Sequence, residues 1–154
     1  MMREIKFRGK SIQQASRFKN GFAKGSLLID LDKNGEKVYS IVLLDPYTTP
    51  PTCSQMPPNP VQYVKPETVG QFTGLTDNSE EKEEIYGGDI LRAMNGDNFI
   101  VEYLTDWGAY KIYRPDGSNT RCLNDLRVDI IELFELRIVG NITDNPELLD
   151  VKNE

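Results

Sequence analysis

The sequence predicts a mainly β fold, a β-rich α+β protein with a small, strongly bent barrel in its C-terminal half. An N-terminal β unit and a long proline-rich connection precede the barrel. Three observations predict this. Short segments rich in β-branched and aromatic residues recur from residue 69 onward, with glycine, asparagine and aspartate between them. Two apolar runs flank Asn34-Gly35, a dipeptide that favours tight hairpins. Seven of the nine prolines fall between residues 46 and 66, where regular structure is therefore hard to sustain. The organisation implied is a hairpin unit with a basic arm over residues 1–45, a linker over 46–67, and a barrel domain over 68–150 with a short helix near 123–133.

Taken in order, Ile5 and Phe7 alternate with Glu4, Lys6 and Arg8, the period-two pattern of a half-buried strand with its apolar side inward. Residues 10–20 fit either a loop or a short helix that places Ile12, Ala15 and Phe18 on one face. Leu27, Leu28, Ile29 and Leu31 then form one hairpin arm, and Val38, Tyr39, Ile41, Val42 and Leu43 the other. Asn34-Gly35 between them suits the two positive-φ centres of a type I′ turn. Pro46, Pro50, Pro51, Pro57, Pro58, Pro60 and Pro66 leave few backbone donors, which predicts an extended or irregular surface crossing.

Strands are expected at Val69–Thr73, Asp89–Met94, Asn98–Leu104, Ala109–Arg114 and Leu136–Ile142, punctuated by Gly74, Asn95-Gly96-Asp97, Gly108 and Asp116-Gly117. One interruption has helical spacing. Leu123, Leu126, Ile130, Ile131 and Phe134 recur at steps of three and four, which predicts a helix over 123–133 covering one barrel end. Asn145-Pro146-Glu147 reads as the start of a final helical turn, with proline at its first position.

Composition narrows the chemistry. With 38% hydrophobic and 27% charged residues, the chain reads as a soluble globular protein rather than a coiled coil or a disordered segment. It has no histidine, which removes the commonest general base and the usual zinc ligand, and with them Ser-His-Asp and Cys-His catalysis. Cys53 and Cys122 alone fall short of a structural zinc site and read as two separate thiols. No apolar run approaches the roughly 20 residues of a membrane-spanning helix, and residues 1–26 lack the apolar stretch of a signal peptide. The expectation is a cytoplasmic protein with no membrane partner and no cofactor.

The net charge of -6 is unevenly spread. Residues 1–26 hold Arg3, Lys6, Arg8, Lys10, Arg17, Lys19 and Lys24 against Glu4 alone, so a basic arm precedes an acidic body. Such an arm suits either phosphates or an acidic protein surface, its own chain's or a neighbouring subunit's. The pI of about 4.8 favours protein over nucleic acid.

The segment Thr68-Val69-Gly70-Gln71-Phe72-Thr73-Gly74-Leu75-Thr76-Asp77, followed by Glu84-Ile85-Tyr86-Gly87-Gly88-Asp89-Ile90-Leu91, resembles the central signature of the YopX family of phage, prophage and mobile-element proteins. Arg3-Glu4-Ile5-Lys6-Phe7-Arg8 resembles the family's opening. Ile138-Val139-Gly140-Asn141-Ile142 and Asn145-Pro146-Glu147-Leu148-Leu149 resemble its close, so the similarity runs along nearly the whole chain in order. The sequence departs from the family pattern at Gly9-Lys10, Phe72 and Gly87. The resemblance implies an SH3-like barrel in the C-terminal half and a tendency to self-associate, and it implies no reaction.

The signature has a structural reading of its own. Gly70, Gly74, Gly87 and Gly88 stand where strands meet turns, and Gly74 to Asp77 reads as a turn leaving a strand. Asp89 suits the role of accepting backbone N–H bonds, and Gly140-Asn141 suits a bulge or strand exit. Asp30, Asp32, Asn34 and Gly35 match the first half of a calcium loop, but Ile41 stands where the closing glutamate belongs, and no metal is expected. Carboxylate pairs such as Glu102 with Asp106, or Asp129, Glu132 and Glu135, have the residue type for acid–base work without a nucleophile or metal motif beside them. Tyr63, Trp107 and Tyr110 fit either an aromatic binding surface or barrel core.

The reading that results is a non-catalytic protein that associates with itself and with a phage or host macromolecule. Arg3, Lys6, Arg8, Lys10, Tyr63, Trp107 and Tyr110 are its candidate interaction residues. Homo-oligomerisation is expected through the edge of the strand near Arg3 to Arg8. The alternative is a nucleic-acid-binding module that uses the basic arm.

Overall fold

The structure, a computed structural model, describes residues 4–13, 15–43, 60–115 and 124–149. The chain divides into two units, Met1–Gln71 and Phe72–Glu154.

The first unit is built from β1 (Phe7–Lys10), β2 (Phe22–Leu31), β3 (Lys37–Leu43) and β4 (Val61–Tyr63), antiparallel in the order β4-β3-β2-β1. The sheet closes on itself at one end. Ser11, just past β1, bridges Val64, just past β4. The Ile12 amide donates to the Tyr63 carbonyl at 2.8 Å, and Lys65 donates to Lys10 at 3.0 Å. Inside the closure the buried Ser11 hydroxyl donates to Gln62 Oε1 at 2.9 Å. Closure demands close backbone approach. A Cβ on Gly25 would stand 1.9 Å from the Val42 carbonyl oxygen, and one on Gly9 would stand 2.8 Å from Val64 Cβ. Ala23, Ile41 and Val64 form the buried centre, with Phe7, Phe18, Leu27, Tyr39, Leu43 and Val69 packed around it.

Four local expectations are corrected here. The first strand is Phe7–Lys10, and it is Ile5 that is exposed while Lys6 and Arg8 are buried. The cause is that β1 pairs with β2 on one side and with Gly70 and Gln71 on the other. Long basic side chains there lay their stems along the sheet and stack on aromatic faces, with the Arg8 guanidinium 4.3 Å from the Phe22 ring centroid. Residues 15–21 form two short 3-10 turns that bring Phe18, but neither Ile12 nor Ala15, to the interior.

The hairpin between β2 and β3 has a five-residue connection, not a type I′ turn. Gly35 has φ 79°, but Asn34 does not. Asp32 Oδ1 instead accepts the amides of Asn34 and Glu36 at 2.8 and 3.0 Å, the Asx arrangement in which a side chain replaces a backbone acceptor. Finally, the end of the proposed linker belongs to this unit. Val61–Tyr63 forms β4 beside β3, and Pro66–Thr68 a 3-10 turn, because the non-proline residues retain both β propensity and amide donors. Residues 44–59, with most of the proline-rich stretch, lie outside the described residues.

In β5 (Gly70–Thr76) the chain passes from the first unit to the second. Its later residues pair with β6 (Glu84–Tyr86), with a register shift between Phe72 and Thr76. Gly74, at φ 89°, lies in that irregularity, so the strand continues where the sequence predicts a turn. A five-stranded antiparallel sheet follows in the order β11-β7-β8-β9-β10: β7 (Asp89–Arg92), β8 (Asn98–Leu104), β9 (Ala109–Tyr113), β10 (Asn124–Asp125) and β11 (Arg137–Asn141). Its core is Ile85, Leu91, Ala93, Val101, Ile112, Leu126, Ile131 and Leu136.

The one α-helix described, α1 (Val128–Leu133), is shorter than predicted. The segment before it is extended instead, and Leu126 donates its amide to the Tyr110 carbonyl at 3.2 Å while its side chain joins the core. A 3-10 turn at Pro146–Leu149 ends the described chain. Among the described residues no helix is long and apolar enough to cross a membrane.

Candidate functional site

The β8–β9 hairpin of the second unit gathers aromatic and charged side chains. Val101 pairs with Ile112, Glu102 with Lys111, Tyr103 with Tyr110, and Leu104 with Ala109. Alternation places the buried Val101 and Ile112 on the core face, and Tyr103 and Tyr110 with them. The two tyrosine rings meet edge to face, 5.2 Å between centroids and 69° between planes.

Glu102 and Lys111 lie on the opposite face, and Asp125, the register partner of Lys111 on β10, extends that row. The Lys111 ammonium pairs with Asp125 and sits 4.6 Å from the centroid of the Trp107 ring. Its hydrogen bond and its charge hold the Asp125 carboxyl below its ordinary pKa. Trp107 itself is 65% exposed at the hairpin tip, so it is not barrel core. It turns toward Lys111, whereas Tyr110 belongs to the other face. Tyr63 lies on β4 of the first unit.

Tyr113, two residues beyond Lys111, has its phenol pushed up from 10.0 to about 12, first by burial and then by its hydrogen bond to Glu102 and that carboxylate's charge. A raised acid pKa favours the neutral form in the fold. The contribution of this contact is therefore complete below about pH 10 and is lost as the pH climbs toward about 12. In an ultraviolet titration of the seven tyrosines, one phenol should ionise near that upper limit and disappear from the curve in Tyr113→Phe. Glu102→Gln should bring it down, and ionisation of every phenol near pH 10 would contradict the assignment.

A second surface lies on the first unit. β1 pairs β2 only at residues 22–25, and β4 pairs β3 only at residues 40–42, so beyond the packed Leu27 and Tyr39 residues 28–31 and 37–38 project as a two-stranded ribbon. Leu28, Ile29 and Leu31 on it are 48, 50 and 63% exposed. Ile29 and Leu31 share one face, and Leu28 shares the other with the exposed Val42.

The remaining predicted residues serve the framework or lie elsewhere. Arg3, Cys53 and Cys122 lie outside the described residues. Lys6 pairs with Glu4 at 3.2 Å, and Lys10 sits 4.4 Å from the Phe22 centroid with its ammonium donating to the Asn20 carbonyl. Asp30 Oδ1 accepts the Leu31 amide, so this oxygen and Asp32 Oδ1 serve the hairpin backbone. Asp89 is buried, and its Oδ2 accepts the Tyr86 amide at 2.8 Å across Gly87 and Gly88. The Gly88 amide donates to Val101, and its carbonyl accepts from Ile142. Gly140 follows a register shift in β11, where a Cβ would stand 2.4 Å from Asn145 Oδ1. Asn141 Oδ1 accepts the amides of Thr143 and Asp144 at 3.0 and 2.9 Å. Gly70 pairs with Arg8.

Asp77, which sequence reasoning treated only as the end of a turn, accepts hydrogen bonds from three backbone amides. Its Oδ1 accepts from the Ser79 amide and hydroxyl and the Glu83 amide, and its Oδ2 from the Ile138 amide. Among the described residues no group of three or more His, Cys, Asp or Glu side chains could hold a metal ion.

Comparison with known proteins finds a family and solved structures. A family model described as YopX protein matches residues 44–150. Among solved structures, the X-ray crystal structure of protein yopX from Bacillus subtilis is similar over 99% of this chain and 100% of that one, at 13% identity and a TM-score of 0.44. No curated protein matches the sequence.

Proposed function

Because the chain belongs to the YopX protein family, a membership that brings no reaction with it, we propose that it is a non-catalytic, cytoplasmic protein of phage or mobile-element origin that works by associating with a second copy of itself. The carrying observation is the projecting β2–β3 ribbon. An isolated two-stranded ribbon is marginally stable in water, and this one bears Leu28, Ile29 and Leu31 in solvent, with apolar residues on both faces. Clustered exposed apolar side chains of this kind mark interaction sites.

Charge favours a second copy as the occupant. The ribbon and its turn carry Asp30, Asp32 and Glu36 against Lys33 and Lys37, nearly balanced and interleaved. Two ribbons related by a two-fold axis can therefore set acids of one against lysines of the other. The ribbon is preferred to the strand edge near Arg3 to Arg8 because Phe7 and Arg8 are paired on both sides.

Light scattering of the full chain at micromolar concentration should give a multiple of 17.5 kDa. The double variant Ile29→Asp with Leu31→Asp should give the single-chain mass with circular dichroism unchanged. A wild-type protein of single-chain mass, or a double variant that keeps the assembly, would refute the reading. A second reading, phosphate binding by the basic segment, is favoured by the exposed Lys19 and Lys24. Nucleic acid that co-purifies and is removed by high salt would support it, read as a fall in the A260/A280 ratio.

A further inference from the structure

The β8–β9 tip is a surface separate from the ribbon. Its connection runs Thr105-Asp106-Trp107-Gly108, closed by the Trp107 amide on the Leu104 carbonyl at 3.0 Å and the Gly108 amide on the Thr105 carbonyl at 3.2 Å. Threonine, aspartate and glycine suit such a turn, but nothing in turn chemistry calls for a tryptophan. Trp107 is nevertheless there, 65% exposed, and its orientation is held. Lys111 stacks on one face of the indole, and Asp125 anchors Lys111 from the neighbouring strand. A large aromatic ring fixed in advance, with its surface in water, is the kind of residue that dominates protein interfaces, because little conformational freedom remains to be lost on binding.

The charges around it define the partner. Glu102 and Asp125 flank Lys111 in one cross-strand row, Asp106 directly precedes Trp107 in the turn, and the Lys111 ammonium is already engaged by Asp125 and the indole. Arg127, whose charge reaches Asp125, is paired with Asp129 at 3.2 Å, and Arg114, just past β9, with Asp97 at 2.6 Å. The local field is negative and the open face of the ring is electron-rich, so both repel phosphate and attract a cation.

We propose that the β8–β9 tip is a docking site for a basic peptide segment of a partner protein, with an arginine or lysine side chain stacked on the open face of Trp107 and its charge met by Asp106. The inference does not rest on the self-association reading, and the two fail separately, since one is read by mass and the other by fluorescence. Trp107 is the single tryptophan of the chain, so selective excitation reports this site alone.

Titration of the full chain with a short oligo-arginine peptide should quench and shift its emission saturably, and the affinity should fall with added salt. Asp106→Lys should weaken the affinity at least tenfold. Glu132→Lys, the same charge change on the exposed face of α1, should leave it within a factor of two, which separates the site from the general attraction of an acidic protein. An unsaturable response, or equal losses in the two variants, would overturn the proposal. So would a stronger response to a single-stranded oligonucleotide than to the peptide. A shift produced by raising the protein concentration alone would also overturn it, by assigning the face to a second copy.

Discussion

Gly25→Ala should strongly destabilise the first unit. Gly25 is buried in β2, between Phe7 of β1 and Leu43 of β3. The new methyl would stand 1.9 Å from the Val42 carbonyl oxygen and 2.8 Å from its carbonyl carbon. The obstacle is backbone, so no rotamer change relieves it, and the strands must part where the sheet is being drawn into closure. Overpacking of this kind costs about 3 kcal/mol or more, a large share of the roughly 5 to 15 kcal/mol that stabilises a domain.

The melting temperature should accordingly fall by roughly 12 °C or more. Gly35→Ala is the informative control. That glycine has φ 79° but nothing within 4 Å of an added Cβ, so its cost is the left-handed backbone strain alone, about 1 to 2 kcal/mol. Thermal denaturation followed by circular dichroism ranks the two. A Gly25→Ala protein as stable as the Gly35→Ala protein would mean that the close approach is not a feature of the folded chain.

How much of this was legible in the sequence depends on how local the cause is. β8 and β9 were placed within a residue, because Asn98–Leu104 and Ala109–Tyr113 are rich in β-branched and aromatic residues and Gly108 marks the turn between them. β4 was missed because the composition of its surroundings outweighed it: three residues capable of pairing are hard to see beside so many prolines. β6 and β10, at three and two residues, are too short to carry a period at all.

The inward face of the first strand was assigned the wrong way at Lys6 and Arg8. Alternation shows which residues share a face, but pairing on both edges decides what is covered, and Arg8 is buried on an aromatic ring that lies 14 positions away in sequence. Trp107 shows the same limit from the other side. Its residue type fits either a binding surface or the core, and it is its place in the turn and the Asp125–Lys111 support that keep it outside. The bond from the Tyr86 amide to Asp89 spans three residues and those from the Thr143 and Asp144 amides to Asn141 span two and three, so each is a contact within its own turn; the residue type of Asp89 points to such a role, whereas Gly140-Asn141 reads from sequence only as a bulge or strand exit.

Asp77→Ala should produce the other large loss, in the second unit. The carboxylate is buried and accepts four hydrogen bonds, from the Ser79 amide at 3.1 Å, the Ser79 hydroxyl at 2.5 Å, the Glu83 amide at 3.0 Å and the Ile138 amide at 3.0 Å. The last of these spans 61 residues and ties the loop after β5 to β11, alongside the bond from the Asn78 amide to the Leu136 carbonyl at 2.8 Å. Alanine would leave three backbone donors without their acceptor. Each buried orphan costs about 1 to 3 kcal/mol, but partial solvent access at Ser79, Glu83 and Ile138 lets water recover some of that, so a total of about 3 kcal/mol is expected.

Asp77→Asn separates the two halves of the contact. Its single amide oxygen can keep the Ser79 and Glu83 bonds, while the NH2 group faces the Ile138 donor and cannot accept from it. Hydrogen exchange at Ile138 should then accelerate in Asp77→Asn with the Glu83 amide still protected, and both should accelerate in Asp77→Ala. Unchanged protection of Ile138 in Asp77→Ala would show that β11 is held without this carboxylate. Asp77 would then be what the sequence alone suggested, a residue that shapes its own turn and reaches no further.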